Sequence, residues 1–283
     1  MPSDAVGSQR LERQLRIDYA DRPDRIRAEN GLEKLFPLLN SALHTDCVLD
    51  WWMSPSERVG LIFLLEQLRP KVAIEIGTKN GGSLQALTRF SEWVYSIDID
   101  PEIPTRLEGK FSNVEYLTGP SDELLPPLIE RLQKEKTELS FALVDGDHSA
   151  EAVRKDIDNL LKFRPLVPFY IVMHDSFNPQ CRLGLTKANW AANPHVHAVE
   201  LDFVPGMVNY GPAHKDELWG GLALGMLLPE KRQNKFQITG LAERTRKALM
   251  MSPRPFLKHM RGKIKRTLPG RAAGVAKRMI LGG

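Results

Sequence analysis

From Pro70 to Leu227 the chain alternates short apolar runs with amphipathic stretches of helical period, and that alternation leaves few folds open. The apolar runs are Lys71–Ile76, Trp93–Ile99, Asn113–Thr118, Leu139–Asp145, Pro168–His174, Val196–Phe203 and Trp219–Leu227, each of strand length. The clearest helical stretch is Ser149–Phe163, with Val153, Ile157, Leu160 and Leu161 on one stripe. Strands separated by helices imply a mostly parallel sheet covered on both faces, because parallel neighbours need a crossover connection. The expected fold is α/β, a doubly wound, mostly parallel seven-stranded sheet. Its last two strands follow each other without a helix, which suits an antiparallel pair and an antiparallel edge strand. Upstream, Ser54-Pro55-Ser56-Glu57 reads as a helix start, with Ser as cap and Pro in the first turn, and Pro70 closes that helix.

At 283 residues the chain is long enough for one large domain with extensions. The expected division is an N-terminal helical lid over residues 1–45, a central domain over 46–229 and a C-terminal extension over 230–283. Cys47 and Cys181 are too few and too far apart for a disulfide framework, which favours a reducing compartment. The opening residues lack a basic stretch followed by an apolar run, and no segment approaches the roughly 20 apolar residues of a membrane span. The expectation is a cytoplasmic protein.

Two segments carry the chemistry. Val72 to Ser83, Val-Ala-Ile-Glu-Ile-Gly-Thr-Lys-Asn-Gly-Gly-Ser, is a strand running into a glycine-rich turn. In an open parallel sheet ligands sit at strand ends, and Gly77, Gly81 and Gly82 let backbone approach one closely. Glu75 ends that strand, and Asp98 ends the next, where a carboxylate can grip two ribose hydroxyls. A nicotinamide fingerprint would need glycine where Lys79 stands, and no Gly-Lys-Ser/Thr follows for a phosphate loop. The second segment, Ala142 to His148, ends a strand on Asp145, Asp147 and His148, and His174-Asp175-Ser176 ends the next. Carboxylates at adjacent strand ends suit a hard divalent ion such as Mg²⁺, and an imidazole beside them suits a general base. Asp147 also reads as the cap of the following helix, and His195 with His197 reads as a pair of strand histidines or of ligands. Trp51 and Trp52 read as packing or as a lid.

The series Glu75-x-Gly77, Asp98, Gly119-Pro-Ser121-Asp122 and Asp145 resembles the successive motifs of class I S-adenosylmethionine-dependent methyltransferases over about residues 55–227. Within them, Asp145-x-x-His148 and a carboxylate after strand five resemble the metal-dependent O-methyltransferases of the macrocin O-methyltransferase and cephalosporin-hydroxylase-like group, relatives of catechol O-methyltransferase. The resemblance implies a Rossmann-like sheet and S-adenosylmethionine held by Glu75, Gly77, Thr78, Gly81, Ser83, Asp98, Ser121, Asp122 and Asp145. It further implies Mg²⁺ on Asp145 and Asp175, with His174 where the group often has Glu. His148 would be the base, acting with Asp145. The acceptor implied is a hydroxyl on a saccharide or natural product. Two other readings stay open: a cephalosporin-hydroxylase-like oxidoreductase, and a non-catalytic cofactor-binding scaffold.

Charge is unevenly spread. Residues 230–283 hold 15 Lys/Arg against 2 acids, a net of +13, and residues 1–229 hold 24 against 33, a net of −9. Phe256, Leu257, Met260, Ile264 and Leu268 give the tail a loose apolar stripe. Such a segment fits peripheral contact with an anionic membrane, or a glycan. It is poor in aromatics and shows no nucleic-acid-binding fold, so nucleic acid is not expected.

Overall fold

A computed structural model describes residues 49–209 and 214–252. The expected N-terminal lid and the apolar stripe of the tail lie outside the described residues. The first helix, α1 (Pro55–Leu68), begins as its sequence dictates. Ser54 accepts from Glu57 N, the Glu57 carboxylate accepts from Ser54 N, and Pro55 occupies the first turn.

The strands β1 (Val72–Ile76), β2 (Trp93–Asp98), β3 (Val114–Thr118), β4 (Leu139–Val144), β5 (Phe169–His174) and β6 (Val196–Val204) fall within about a residue of the apolar runs. They alternate with α2 (Gly82–Phe90), the short α3 (Ile103–Arg106), α4 (Ser121–Lys134), α5 (Ala150–Leu160) and α6 (Pro179–Lys187). Two further two-residue strands, β7 (Met207–Val208) and β8 (Leu218–Trp219), precede β9 (Leu222–Leu227); β10 (Ile238–Thr239) and α7 (Glu243–Met251) follow. The main sheet has eight strands in the order β10-β6-β9-β5-β4-β1-β2-β3. Every pairing is parallel except those of β9, which runs antiparallel to both β5 and β6. The seven expected strands form this sheet, and β10 adds an eighth beside β6. After β3 the chain crosses back to β4, so direction of winding switches between β1 and β4. That is where an open α/β sheet makes its crevice.

The expected strand Trp219–Leu227 is two strands. Gly220 and Gly221 have φ of 71° and 86°, a left-handed backbone that interrupts extended pairing. β8 therefore pairs with β7 in a separate hairpin, and β9 starts afresh in the main sheet. The interruption turns the Gly220 and Gly221 amides inward: Gly220 N donates to Asp175 Oδ1 at 2.6 Å, and Gly221 N donates to Glu57 Oε1.

The core is built on both faces of the sheet from strand and helix side chains, with Phe141, Phe163, Phe169 and Trp190 fully buried. Phe163 and Phe169 meet edge to face, and the Trp190 indole N–H donates to Leu185 O. Toward the β10 edge, buried Arg182 donates to Asp202 Oδ1 and to Glu243 Oε2, both at 2.6 Å, fastening α7 to α6 and β6. Ser149, and not Asp147, caps α5, accepting from Ala152 N, while Asp147 sits two residues earlier and accepts from Ser149 N. Among the described residues no helix is long and apolar enough to cross a membrane.

Candidate active site

The C-terminal ends of β1, β2, β4 and β5 open into one cleft of about 1040 Å³. At the β1–β2 end of the cleft the first turn is closely packed. Gly77 N donates to Ile97 O and Asp145 N to Ile76 O, so the turn is stitched to both neighbouring strands. A Cβ on Gly77 would lie 2.1 Å from Asp145 O, and its φ is 90°; no other residue fits. Asp98 Oδ2 accepts from Thr78 N at 2.7 Å and Lys79 N at 3.0 Å, while Oδ1 accepts from Asp100 N. Asp98 thus lines the cleft and also shapes the turn.

Glu75 and Gly81 stand behind the wall, while Gly77, Thr78, Ser83, Asp98, Ser121 and Asp122 line it. Glu75 is fully buried, accepting from Ser83 Oγ at 2.6 Å and Thr78 Oγ1 at 3.0 Å. Burial pushes its carboxyl up to about 8, against the pull of those hydroxyls. Its work is to hold the two ends of the turn together. Asp156, which the sequence did not mark, also lines the cleft and accepts from Ser121 Oγ at 2.6 Å; burial pushes it up to about 6. Trp51 is buried, and Trp52 stands exposed at the mouth with Lys79 Nζ 3.3 Å from its ring centre.

At the other end Asp145, His148, His174 and Asp175 meet. His174 Nδ1 lies 2.9 Å from Asp145 Oδ1 and 3.4 Å from Asp175 Oδ2, and His148 Nε2 lies 3.0 Å from Asp175 Oδ2 and 3.6 Å from Asp145 Oδ1. One ligand atom each from Asp145, His174 and Asp175 falls within a sphere of mutual distances under 4.8 Å. Asp175 holds a left-handed φ of 56°, a strained position for a residue with a side chain. Burial would raise both aspartates, but the charge of His174 and hydrogen bonds from the two imidazoles outweigh it and hold them below the carboxylate range. Burial would lower His174, and Asp145 and Asp175 instead hold it well above the imidazole range. Hydrogen bonds to Asp145 and Asp175 push His148 up to about 9.

Glu57, a helix-start residue by sequence, also lines this end of the cleft. It is 2% exposed, and its Oε1 stands 3.4 Å from His174 Nε2, at ion-pair distance but without hydrogen-bond geometry. Trp219 is the second addition. Its indole N–H donates to Glu217 Oε2, and its ring meets His148 edge-on at 5.3 Å and His214 at 4.6 Å. Met207, Asn209 and His214 also line the cleft. His195 and His197 sit apart, their ring nitrogens on the carbonyls of Leu228 and Glu230. Among the cleft's lining residues acids outnumber lysines nine to two.

Residues 74–176 match the protein family described as "Methyltransferase domain". Rhamnosyl O-methyltransferases of Mycobacterium tuberculosis and Mycobacterium bovis are 28% identical over 182 residues, 60% of this chain and 65% of theirs. The chain thus spans less than two thirds of the length of these relatives. An O-methyltransferase of Bacillus cereus in complex with SAH is 17% identical, covering 77% of this chain and 97% of the other, with a TM-score of 0.45. The O-methyltransferase TomG of Streptomyces achromogenes, involved in tomaymycin synthesis and in complex with SAM, is 16% identical, covering 71% and 91%, with a TM-score of 0.46. Over residues 74–176 this chain matches a methyltransferase domain family, and the sheet order and the motif series along it agree with that match.

Proposed function

We propose that the protein transfers the methyl group of S-adenosylmethionine to a hydroxyl of a saccharide, with divalent-metal assistance and His148 as base. The observation that carries this reading is the convergence, in one cleft, of a glycine turn beside Asp98 and a carboxylate–imidazole cluster at Asp145, His174 and Asp175. The saccharide is favoured by the rhamnosyl activity named for the mycobacterial relatives and by Trp219, an aromatic face of the kind sugar rings stack on. Excess acid along the walls supports a donor that is cationic and an acceptor without negative charge.

Bound here, the donor supplies an electrophilic methyl on a sulfonium, and a divalent ion supplies a Lewis acid that eases deprotonation of a hydroxyl. Gly77 lets backbone approach the donor, and Asp98 offers acceptors to its ribose. Asp145, His174 and Asp175 would hold the ion; two carboxylates and one imidazole are a fitting donor set. His148 takes the proton. In the arrangement described, two carboxylates keep it charged, and engaging those carboxylates with a cation removes the cause of that rise. The acceptor oxygen bonds to the methyl carbon as the carbon–sulfur bond breaks, and the hydroxyl proton ends on His148.

The basic segment 230–283 belongs to the same proposal as a peripheral contact with anionic membrane, checked by co-sedimentation with anionic vesicles against neutral ones. Calorimetry with S-adenosylmethionine and SAH, followed by label transfer from methyl-labelled donor to a rhamnosyl glycoside, tests the reading. Binding of both ligands and label on the sugar are expected. Failure of both ligands to bind would end it.

A further inference from the structure

Glu57 occupies an unusual place for a capping glutamate. Its Oε2 accepts from Ser54 N at 2.5 Å, the ordinary work of a capping box. Its Oε1 reaches the end of β5 and the start of β9, where it accepts from Gly221 N and faces His174 Nε2 at 3.4 Å. Both side chains are buried, His174 at 8% and Glu57 at 3% exposure. That Nε2 is otherwise an orphan.

A neutral imidazole carries one ring hydrogen, and the nitrogen that holds it is set by its partner. Nδ1 faces Asp145 Oδ1 at 2.9 Å and Asp175 Oδ2 at 3.4 Å, and a bound metal would take the place of the proton that Nδ1 shares with Asp145. With a metal on Nδ1, the one hydrogen of a neutral ring sits on Nε2, and Glu57 Oε1 is the carboxylate that faces it. A carboxylate behind a ligating histidine is also the usual way a protein fixes that ring and strengthens it as a ligand. The resulting donor set is one nitrogen and two oxygens. Mg²⁺ prefers oxygen throughout, whereas imidazole suits first-row transition ions.

We propose that Glu57 is a positioning residue that aims His174 Nδ1 at the Asp145–Asp175 pair, and that the site thereby favours a first-row transition ion such as Mn²⁺ over Mg²⁺. This rests on the metal-assisted part of the reading above.

The test is direct binding of Mn²⁺ and Mg²⁺ to the full chain, by calorimetry and by loss of the free Mn²⁺ signal in electron paramagnetic resonance. Mn²⁺ is expected to bind at least about tenfold more tightly than Mg²⁺, and E57Q to weaken Mn²⁺ by about 10–100-fold. Pulsed resonance on the Mn²⁺ complex should show nitrogen coupling that survives H148A and vanishes in H174E, and H174E should shift preference toward Mg²⁺. Should E57Q not fold, the H174E preference and the nitrogen coupling decide alone. Equal binding of the two ions, or Mn²⁺ bound without nitrogen coupling, would overturn this inference and leave the metal-assisted reading intact. Unchanged Mn²⁺ affinity in folded E57Q would overturn the role of Glu57. Binding of neither ion by protein that still binds S-adenosylmethionine would remove metal assistance as well, with methyl transfer still standing.

Discussion

The two ends of the cleft are built by opposite means. The end proposed for the methyl donor is made of backbone: a turn whose geometry follows from Gly77 and whose amides are tied to Asp98. The opposite end is made of side chains from distant elements, with Asp145 after β4, His174 and Asp175 at the end of β5, Glu57 on α1 and Trp219 on β8. A backbone site tolerates no change of shape, and a side-chain site is sensitive to charge. Substitutions at the two ends should therefore fail differently.

The largest effect is expected at Gly77→Ala. The new Cβ meets the Asp145 carbonyl, so the turn and β4 cannot both keep their places. Loss of several kcal/mol in chemical denaturation is expected, with no measurable donor binding by calorimetry. At the other end, His148→Ala should lower kcat by about 10²–10⁴ while donor affinity stays within about twofold. A variant that lost both together would show that the two ends are one unit and break the contrast. Asp98→Asn is intermediate: the amide still accepts from the turn, but donor affinity should fall about tenfold, in keeping with the loss of a charge-assisted hydrogen bond.

The buried carboxyl behind the donor turn gives a pH signature of its own. Glu75 binds its proton more tightly folded, near 8, than unfolded, near 4.5, so between those values the folded state holds the extra proton. Its contribution to stability is greatest below about 4.5 and is lost as pH rises through about 8. Denaturation curves of wild type and Glu75→Gln across that window should diverge by a few kcal/mol, wild type losing ground as pH rises. Parallel curves would mean that the carboxyl ionises freely behind the turn. The smallest effect is expected from Trp219→Ala, a several-fold rise in the acceptor KM with donor affinity unchanged, read from initial rates.

The same contrast explains what the sequence made legible. The strands could be read because a strand buried on both faces is a continuous apolar run, and Asp98, Asp145 and Asp175 could be read because each terminates one. The turn could be read because close backbone approach demands glycine. Glu57 could not be singled out, since its capping role accounts for it locally and only the folded chain brings it beside His174. The break between β8 and β9 was hidden because Trp219 and Leu222–Leu227 keep one hydropathic run across two glycines whose φ, not polarity, ends the strand. Asp147 and Ser149 compete for the same cap within two residues, and composition does not choose between them.

The acid-rich wall bears on turnover as well as on recognition. In the proposed reaction a sulfonium would enter the cleft as a cation and leave, its methyl spent, as a neutral thioether, so the field that draws fresh donor in would lose its hold once the reaction is done. Reaction itself thus loosens the used carrier. Added salt should narrow the affinity gap between the two forms.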